Sequence, residues 1–354
     1  RPGANPCSHS AIPGNEGYPT QTAVVRFPAV VIDTGSESGD GGVHMTVRFR
    51  GVAVGIAIGA VALGAFAAPA ATAAPAGPEV PGQSTTDPAN WAPADTAAIH
   101  PGVVTDTAGG GACTSNFVFT AGDRTFLGQA AHCAGTGQAT ETDGCDSGTG
   151  PVGTPVMIEA ADGTQRAGTL AYSSWVTMQQ NGESDPDICA YNDFALVEIA
   201  PEDVGDVNPS IPFFGGPTGI DTDGLVPGDL VYGYGNSPLR LGISQLSPKA
   251  GISALDVGGG RSHEVYTLTP GVPGDSGSAF VDGQGDAIGL LSTLNLAPLP
   301  VSNGVSDIAH ALDYANANGG LGDIELVLGT EPFTPAPPGV PAGELAGPAG
   351  PPVG

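Results

Sequence analysis

The chain has 354 residues, 36 of them acidic against 9 basic, for a net charge of −27. Such a charge repels nucleic acid and anionic lipid, so those partners are excluded. With 57 glycines, 34 prolines and 13% charged residues, the composition is that of turn-rich β structure with loose ends, and the length allows one domain of about 230 residues.

Residues 1–44 show no sustained hydrophobic period and read as an extension ahead of the true start. Met45 opens a signal-peptide pattern: Arg48 and Arg50 form a positive zone, residues 52–66 an apolar core, and Ala71-Thr72-Ala73 a small-residue cleavage site. The segment 45–73 is therefore expected to be cut on export, giving a secreted, extracellular protein with no stable membrane association. Pro69 and the Ala/Gly richness argue against a membrane-spanning helix. Residues 74–108, rich in Ala, Pro and Thr, read as a linker in which His100 is solvated.

Strand signals begin at 109: residues 115–120, 124–129, 156–160, 168–175 and 194–199 are short, partly β-branched or aromatic, and separated by Gly/Asp/Asn turns. Residues 209–229 form a Gly/Pro-rich crossover anchored by Phe213-Phe214. A second strand set follows at 230–234, 239–246, 264–269, 278–282 and 287–293. Ser306 is expected to cap a helix over 307–317 that places Ile308, Ala311, Leu312 and Ala315 on one face and ends at Asn318-Gly319-Gly320. His310 on that helix reads as a surface or packing residue, and 324–328 as a last strand. The folded domain is thus expected over 109–330, and a disordered Pro/Gly-rich tail over 331–354.

Three short motifs carry chemistry. Pro273-Gly274-Asp275-Ser276-Gly277-Ser278 runs into an apolar stretch, Ala279-Phe280-Val281, which puts Ser276 on a tight turn at the mouth of a strand with its hydroxyl exposed. Glycine at 274 permits backbone dihedrals closed to other residues, and the N–H groups of Gly274 and Ser276 can then meet one oxygen, as an oxyanion hole requires. A serine alone is a weak nucleophile and needs a base and a group to orient that base. His132 closes the apolar segment 125–133 in Ala-His-Cys, and Asp193 stands in Tyr191-Asn192-Asp193-Phe194, where a carboxylate meets the start of a buried strand. Asp185 and Asp187 are rival acids in the preceding loop. Singly, the serine motif is a common surface turn and the histidine a structural one; only the ordered set of three weighs for catalysis.

Four cysteines fall inside the domain, Cys113, Cys133, Cys145 and Cys189, while Cys7 lies ahead of the signal segment. An even count in an exported chain implies two disulfides, with three pairings open. A zinc site is the alternative, and it lacks any close Cys-x-x-Cys pair.

Over roughly residues 110–300, Ala-His-Cys, Asn-Asp-Phe-Ala-Leu and Gly-Asp-Ser-Gly, in that order, resemble the chymotrypsin-like (trypsin-fold) serine peptidases, more their secreted bacterial branch than the digestive enzymes. The resemblance implies an all-β fold of two antiparallel β-barrels with the active site between them and a C-terminal helix packed on the second. It implies a serine endopeptidase with His132, Asp193 and Ser276 as catalytic triad and the amides of Gly274 and Ser276 as oxyanion hole, acting on protein or peptide substrates as a monomer, without cofactor or metal. It pairs Cys113 with Cys133, which leaves Cys145 for Cys189. Asp275 would be an internal ion-pair partner. The short segment before 109 departs from relatives that carry a large folding pro-region. In the family the floor of the specificity pocket lies about six residues before the nucleophile, here at Pro270, in an uncharged stretch opposite Leu291-Ser292-Thr293-Leu294; this implies cleavage after small or apolar residues and not after Arg or Lys. A catalytically silent trypsin-like fold used as an extracellular binding module is the second reading. An α/β-hydrolase esterase, which needs Gly-x-Ser-x-Gly with acid and histidine after the serine, does not fit the order found here.

Overall fold

The computed structural model describes residues 83–84, 91–138, 140–295, 299 and 301–336. The expected extension over 1–44, the signal segment over 45–73 and the tail beyond 336 lie outside the described residues. Among the described residues no helix is long and apolar enough to cross a membrane.

Two sheets carry the described residues. The first forms a half-barrel whose strands lie in the order β1 (Gln83–Ser84), β16 (Glu325–Val327), β4 (Val118–Ala121), β5 (Arg124–Gln129), β8 (Ala195–Ile199), β7 (Gln165–Ser173), β6 (Pro155–Glu159), β2 (Val104–Thr107) and β3 (Ala112–Thr114). The second is a closed six-stranded barrel: β13 (Ala279–Val281), β10 (Leu230–Tyr234), β11 (Pro248–Val257), β12 (Ser262–Thr267), β15 (Asn303–Asp307) and β14 (Asp286–Leu294), with β14 pairing back onto β13 and the short β9 (Gly219–Ile220) added at its side. The antiparallel two-barrel architecture expected from the resemblance is thus present, with the first barrel open on one side.

Alternation explains the outer strands and continuous apolarity the central ones. In β6, Val156 and Ile158 point inward between exposed neighbours, the period-2 pattern of a half-buried strand. In β5 every residue from Thr125 to Gln129 is buried, because the strand has a core on each face. Phe126 joins Phe119, Phe194 and Leu196 in a cluster shared with Tyr232, Ala279, Leu290 and Ile308 of the second half, while Leu127 joins Val118, Val156 and Val197 inside the half-barrel. The closed barrel has its own filling of Val231, Val265, Phe280, Ile288 and Val305. Among the described residues there are thus three cores, and the middle one fixes how the two halves meet. Each fully buried Phe in it contributes about 2 to 3 kcal/mol of burial, and Phe119 and Phe194 add an edge-to-face contact at 5.4 Å.

Several elements depart from the sequence expectation. Residues 91–108 are not a linker: Ile99 is fully buried, Ala92 N–H donates to Val207 O at 2.9 Å, and β2 and β3 lie at the edge of the first sheet. His100 is half-buried, its Nδ1 2.7 Å from Pro101 O, and burial pushes its imidazole down. Residues 331–336 also pack, with Phe333 against Tyr232 and Thr334 N–H on Phe214 O. Residues 239–246 form no strand; they are a loop with two 3-10 turns whose Leu239 and Leu241 face solvent, and β11 begins only after it. The strand expected through Trp175 stops at Ser173, where α1 (Ser174–Asn181) begins; Gly182 ends that helix at φ 65°. A second short helix, α2 (Pro186–Tyr191), follows. Ser306 lies in β15, and it is Asp307 that caps α3 (Ile308–Asn318) by accepting from His310 N–H at 2.7 Å. That helix packs on β14 and β15 and also touches α1 of the first half.

Candidate active site

The elements bring His132, Asp193 and Ser276 to one cleft of about 660 Å³, with His132 and Asp193 carried by the first half and Ser276 by the second. His132 sits on a 3-10 turn, Ala131–Ala134, directly after β5. The Cys113–Cys133 disulfide ties that turn to β3, and Ala130 and Ala131 are fully buried beneath it, so the imidazole is the first large side chain after a small-residue floor. Asp193 stands between α2 and β8 and is almost completely buried. Its Oδ2 is 2.7 Å from His132 Nδ1 and accepts the Ser292 hydroxyl at 2.6 Å, while its Oδ1 accepts the His132 backbone N–H at 2.8 Å. Its own N–H donates to Ser306 Oγ at 3.4 Å.

These contacts set the electrostatics. Burial alone would push the His132 imidazole down; the charge and hydrogen bond of Asp193 outweigh it and raise the ring above its ordinary value of 6.5. The same bond holds the proton on Nδ1 and leaves Nε2 as the basic nitrogen. Asp185 and Asp187, the rival acids, are exposed at the start of α2, where Asp185 accepts from the N–H groups of Asp187 and Ile188. They lie outside the residues lining the cleft.

The Ser276 turn is sewn to the first half. Ser276 O accepts from Thr114 N–H at 2.9 Å, Gly274 O from the Thr114 hydroxyl at 2.8 Å, and Gly277 O from Asn116 Nδ2 at 3.0 Å. Gly274 has φ 95° and Gly277 φ 84°, and a Cβ on Gly277 would lie 2.7 Å from Thr114 O, so a side chain there would push the halves apart. Among the described residues the N–H groups of Gly274 and Ser276 have no acceptor, whereas Asp275 N–H is taken by Val272 O at 2.9 Å. Two unpaired backbone donors on the turn that carries Ser276 can receive an oxyanion.

Below the turn, Asp275 meets Arg240 and Lys249; burial works against its charge, but the two cations outweigh that and hold the carboxyl below the usual range. The cleft wall beyond Ser276 is made by Gly271, Val272, Leu291, Thr293, Leu294 and Asn303, none of them charged. Glu264, buried nearby on β12, is capped by both donor contacts of Asn295 Nδ2 at 2.7 Å and by the Ser302 hydroxyl at 2.5 Å. On the His132 side the wall includes Trp175, whose ring centre is 6.5 Å from the imidazole. A second disulfide, Cys145–Cys189, ties the neighbouring loop to α2. With all four cysteines so joined, none offers a thiolate to a metal.

Sequence reasoning gave Thr114, Asn116 and Trp175 no part in the site; it read Ser292 as pocket wall and Ser306 as a helix cap, not as partners of Asp193. Each acts across 99 or more residues except Trp175, and no local pattern announces such contacts.

No family model matches the chain, and no curated protein matches it. Among solved structures the chain is similar to Thermobifida fusca protease A, at 19% identity and TM-score 0.41 over 66% of this chain and 100% of that one. It is similar also to a Glu endopeptidase, at 17% identity and TM-score 0.42 over 63% and 94% of the two chains. A serine endoprotease from Yersinia pestis aligns at 16% identity and TM-score 0.38 over 63% of this chain and 64% of its own.

Proposed function

We propose that the protein is a serine endopeptidase in which Ser276 is the nucleophile, His132 the general base and Asp193 the group that orients it. The observation that carries this reading is the ordered contact of His132 Nδ1 with the buried Asp193 carboxylate, on the same cleft as Ser276. The Ser276 oxygen attacks the scissile carbonyl carbon and His132 Nε2 takes its proton. The resulting oxyanion is received by the N–H groups of Gly274 and Ser276. The imidazolium then passes its proton to the leaving amine, which departs and leaves an acyl ester on Ser276. Water, deprotonated by the same histidine, opens that ester and restores the serine. Asp193 holds the imidazole in place and stabilises the imidazolium.

The uncharged wall supports cleavage after small or medium apolar residues. The carboxylate near this wall, Glu264, is already engaged by Asn295 and Ser302 and so offers a Lys or Arg side chain no free partner. A peptide library read by mass spectrometry checks this, and dominant cleavage after Arg or Lys would mean that Glu264 is reachable. Export to the extracellular space rests on the signal pattern over 45–73 and agrees with two disulfides. Sequencing the N-terminus of the secreted species tests it. The catalytic assignment is tested by Ser276→Ala, expected to lower peptide hydrolysis by about 10⁴-fold or more with the fold intact. Wild-type turnover in that variant would end the enzyme reading.

A further inference from the structure

The chain contains a single lysine, Lys249, and the structure buries it completely. It lies on β11 opposite Gly233 of β10, with Nζ 2.9 Å from Asp275 Oδ2. Arg240 reaches the same carboxylate: its Nε is 3.2 Å from Oδ1 and its Nη2 bonds Oδ2. Two cations therefore face one anion where Lys249 and Asp275 are 0% exposed and Arg240 is 8% exposed. The guanidinium fork already balances the carboxylate, so Lys249 leaves the cluster with a net positive charge in a place where excess charge is unfavourable. Gly235 makes the room for it: a Cβ there would lie 2.4 Å from Asp275 Oδ1 and 2.9 Å from Lys249 Cε.

Asp275 is bonded to both flanks of the segment that precedes Ser276. Its Oδ2 accepts from Val272 N–H at 3.1 Å and its Oδ1 from Ser237 N–H at 3.0 Å, while the Ser237 hydroxyl donates to Pro273 O at 2.6 Å. The N–H groups of Gly274 and Ser276 thus hang on a frame whose centre is the Asp275 carboxylate. The charged groups that act on Lys249 are Asp275, on the Ser276 turn, and Arg240, on the 237–246 loop. Tyr234 on β10 is pushed up by burial and bonded to Ser247, so it stays neutral across the working range.

We propose that Lys249 is a positioning residue for the Ser276 turn, its ammonium acting through Asp275 and beside Arg240 to hold the oxyanion-binding N–H pair, so that full turnover requires the proton on Lys249. The inference rests on the reading of Ser276 as nucleophile. The positive charge beneath the turn favours the negatively charged tetrahedral intermediate over the neutral ground state, so its loss falls on kcat and leaves KM little changed. Burial pushes the amine down to about 8, with the charge of Asp275 opposing that fall and the charge of Arg240 adding to it. Turnover should therefore decline as pH rises through that value.

Because there is one lysine, protein carrying ¹³C at the lysine ε carbon gives one resonance whose pH titration reports Lys249 alone. The experiment compares that titration with the pH dependence of kcat on an ester substrate, in the wild type and in Lys249→Met. The expected result is a lysine midpoint near 8 that coincides with the alkaline fall in kcat. In Lys249→Met, kcat at neutral pH should drop about tenfold with KM within about twofold, the alkaline fall should vanish, and thermal stability should hold or rise because Arg240 still pairs Asp275. A lysine midpoint near the ordinary value of about 10.4, or an alkaline fall that survives in Lys249→Met, overturns the proposal. Should the variant not fold, the two wild-type midpoints decide alone. Failure of a fluorophosphonate to label Ser276 at any pH overturns the parent reading and this one with it, whereas labelled Ser276 with an uncoupled lysine titration overturns this one only.

Discussion

Three donors converge on the Asp193 carboxylate, and removing each should read out differently. Asp193→Asn keeps the shape but favours the wrong tautomer of His132, and kcat should fall by about 10⁴-fold. Ser292→Ala removes one neutral donor and should cost about tenfold. With one donor fewer, the carboxylate's charge bears more strongly on His132, so the acid limb of kcat/KM should move upward in the variant. In the wild type that limb should lie above pH 6.5, since the base works only when neutral and Asp193 raises it. A wild-type limb below 6.5 would show that Asp193 does not govern the imidazole. Ser276 and His132 were legible in sequence because short, rigid, small-residue motifs surround them. Ser292 was not, because its role exists only once β14 is laid beside Asp193, 99 residues away in the chain.

Elements with a clear apolar rhythm, such as β5, β6, β8 and β10, fall where the sequence places strands. Those it misses have another physics. β15 reads Asn303-Gly304-Val305-Ser306-Asp307, polar yet wholly buried, because its side chains serve neighbours: Asn303 Oδ1 accepts from Gly271 N–H, and Ser306 Oγ donates to Tyr191 O. β11 opens on Pro248, the buried Lys249 and the small Ala250 and Gly251, while the leucines before it, which carry the strand expectation, are in solvent. The strongest hidden tie is His263 on β12, buried with Nδ1 2.7 Å from Asp256 Oδ1 and Nε2 3.0 Å from Asp307 Oδ2, so that it joins β11, β12 and the cap of α3. Burial opposes its charge, but the bonds to Asp307 and Asp256 prevail and raise it above 6.5. A raised value means that its stabilisation is fully present below 6.5 and is lost as pH rises through the folded-state value. The melting-temperature gap between wild type and His263→Gln should therefore be widest below pH 6.5 and narrow as pH rises above it. A gap independent of pH would mean that the ring is neutral throughout. The Cys145–Cys189 bond, spanning 44 residues, steadies the wall that carries Trp175. Replacing both cysteines by Ala should cost up to about 4 kcal/mol of stability and raise KM more than it lowers kcat. An unchanged melting temperature would contradict this.

Charge is distributed unevenly over the whole chain. Beyond residue 74 there are five basic residues, and four of them are spent internally: Arg124 on Glu198, Arg166 on Asp162, Asp203 and Asp206, and Arg240 and Lys249 on Asp275. The remaining carboxylates repel one another across the surface, a repulsion that salt screens within about 3 Å at about 1 M. Adding salt should therefore raise the melting temperature, and a fall would show that the surface ion pairs outweigh the repulsion. The same inventory makes the interior cluster beneath Ser276 stand out, since a chain so poor in cations places two of them there. The most direct test of the reading that Ser276, His132 and Asp193 act together is labelling of the folded protein with a fluorophosphonate, followed by peptide mapping. The account predicts one labelled residue, Ser276, with labelling abolished in Ser276→Ala and in His132→Ala. Absence of label in the folded wild type, or label on another serine, would contradict it.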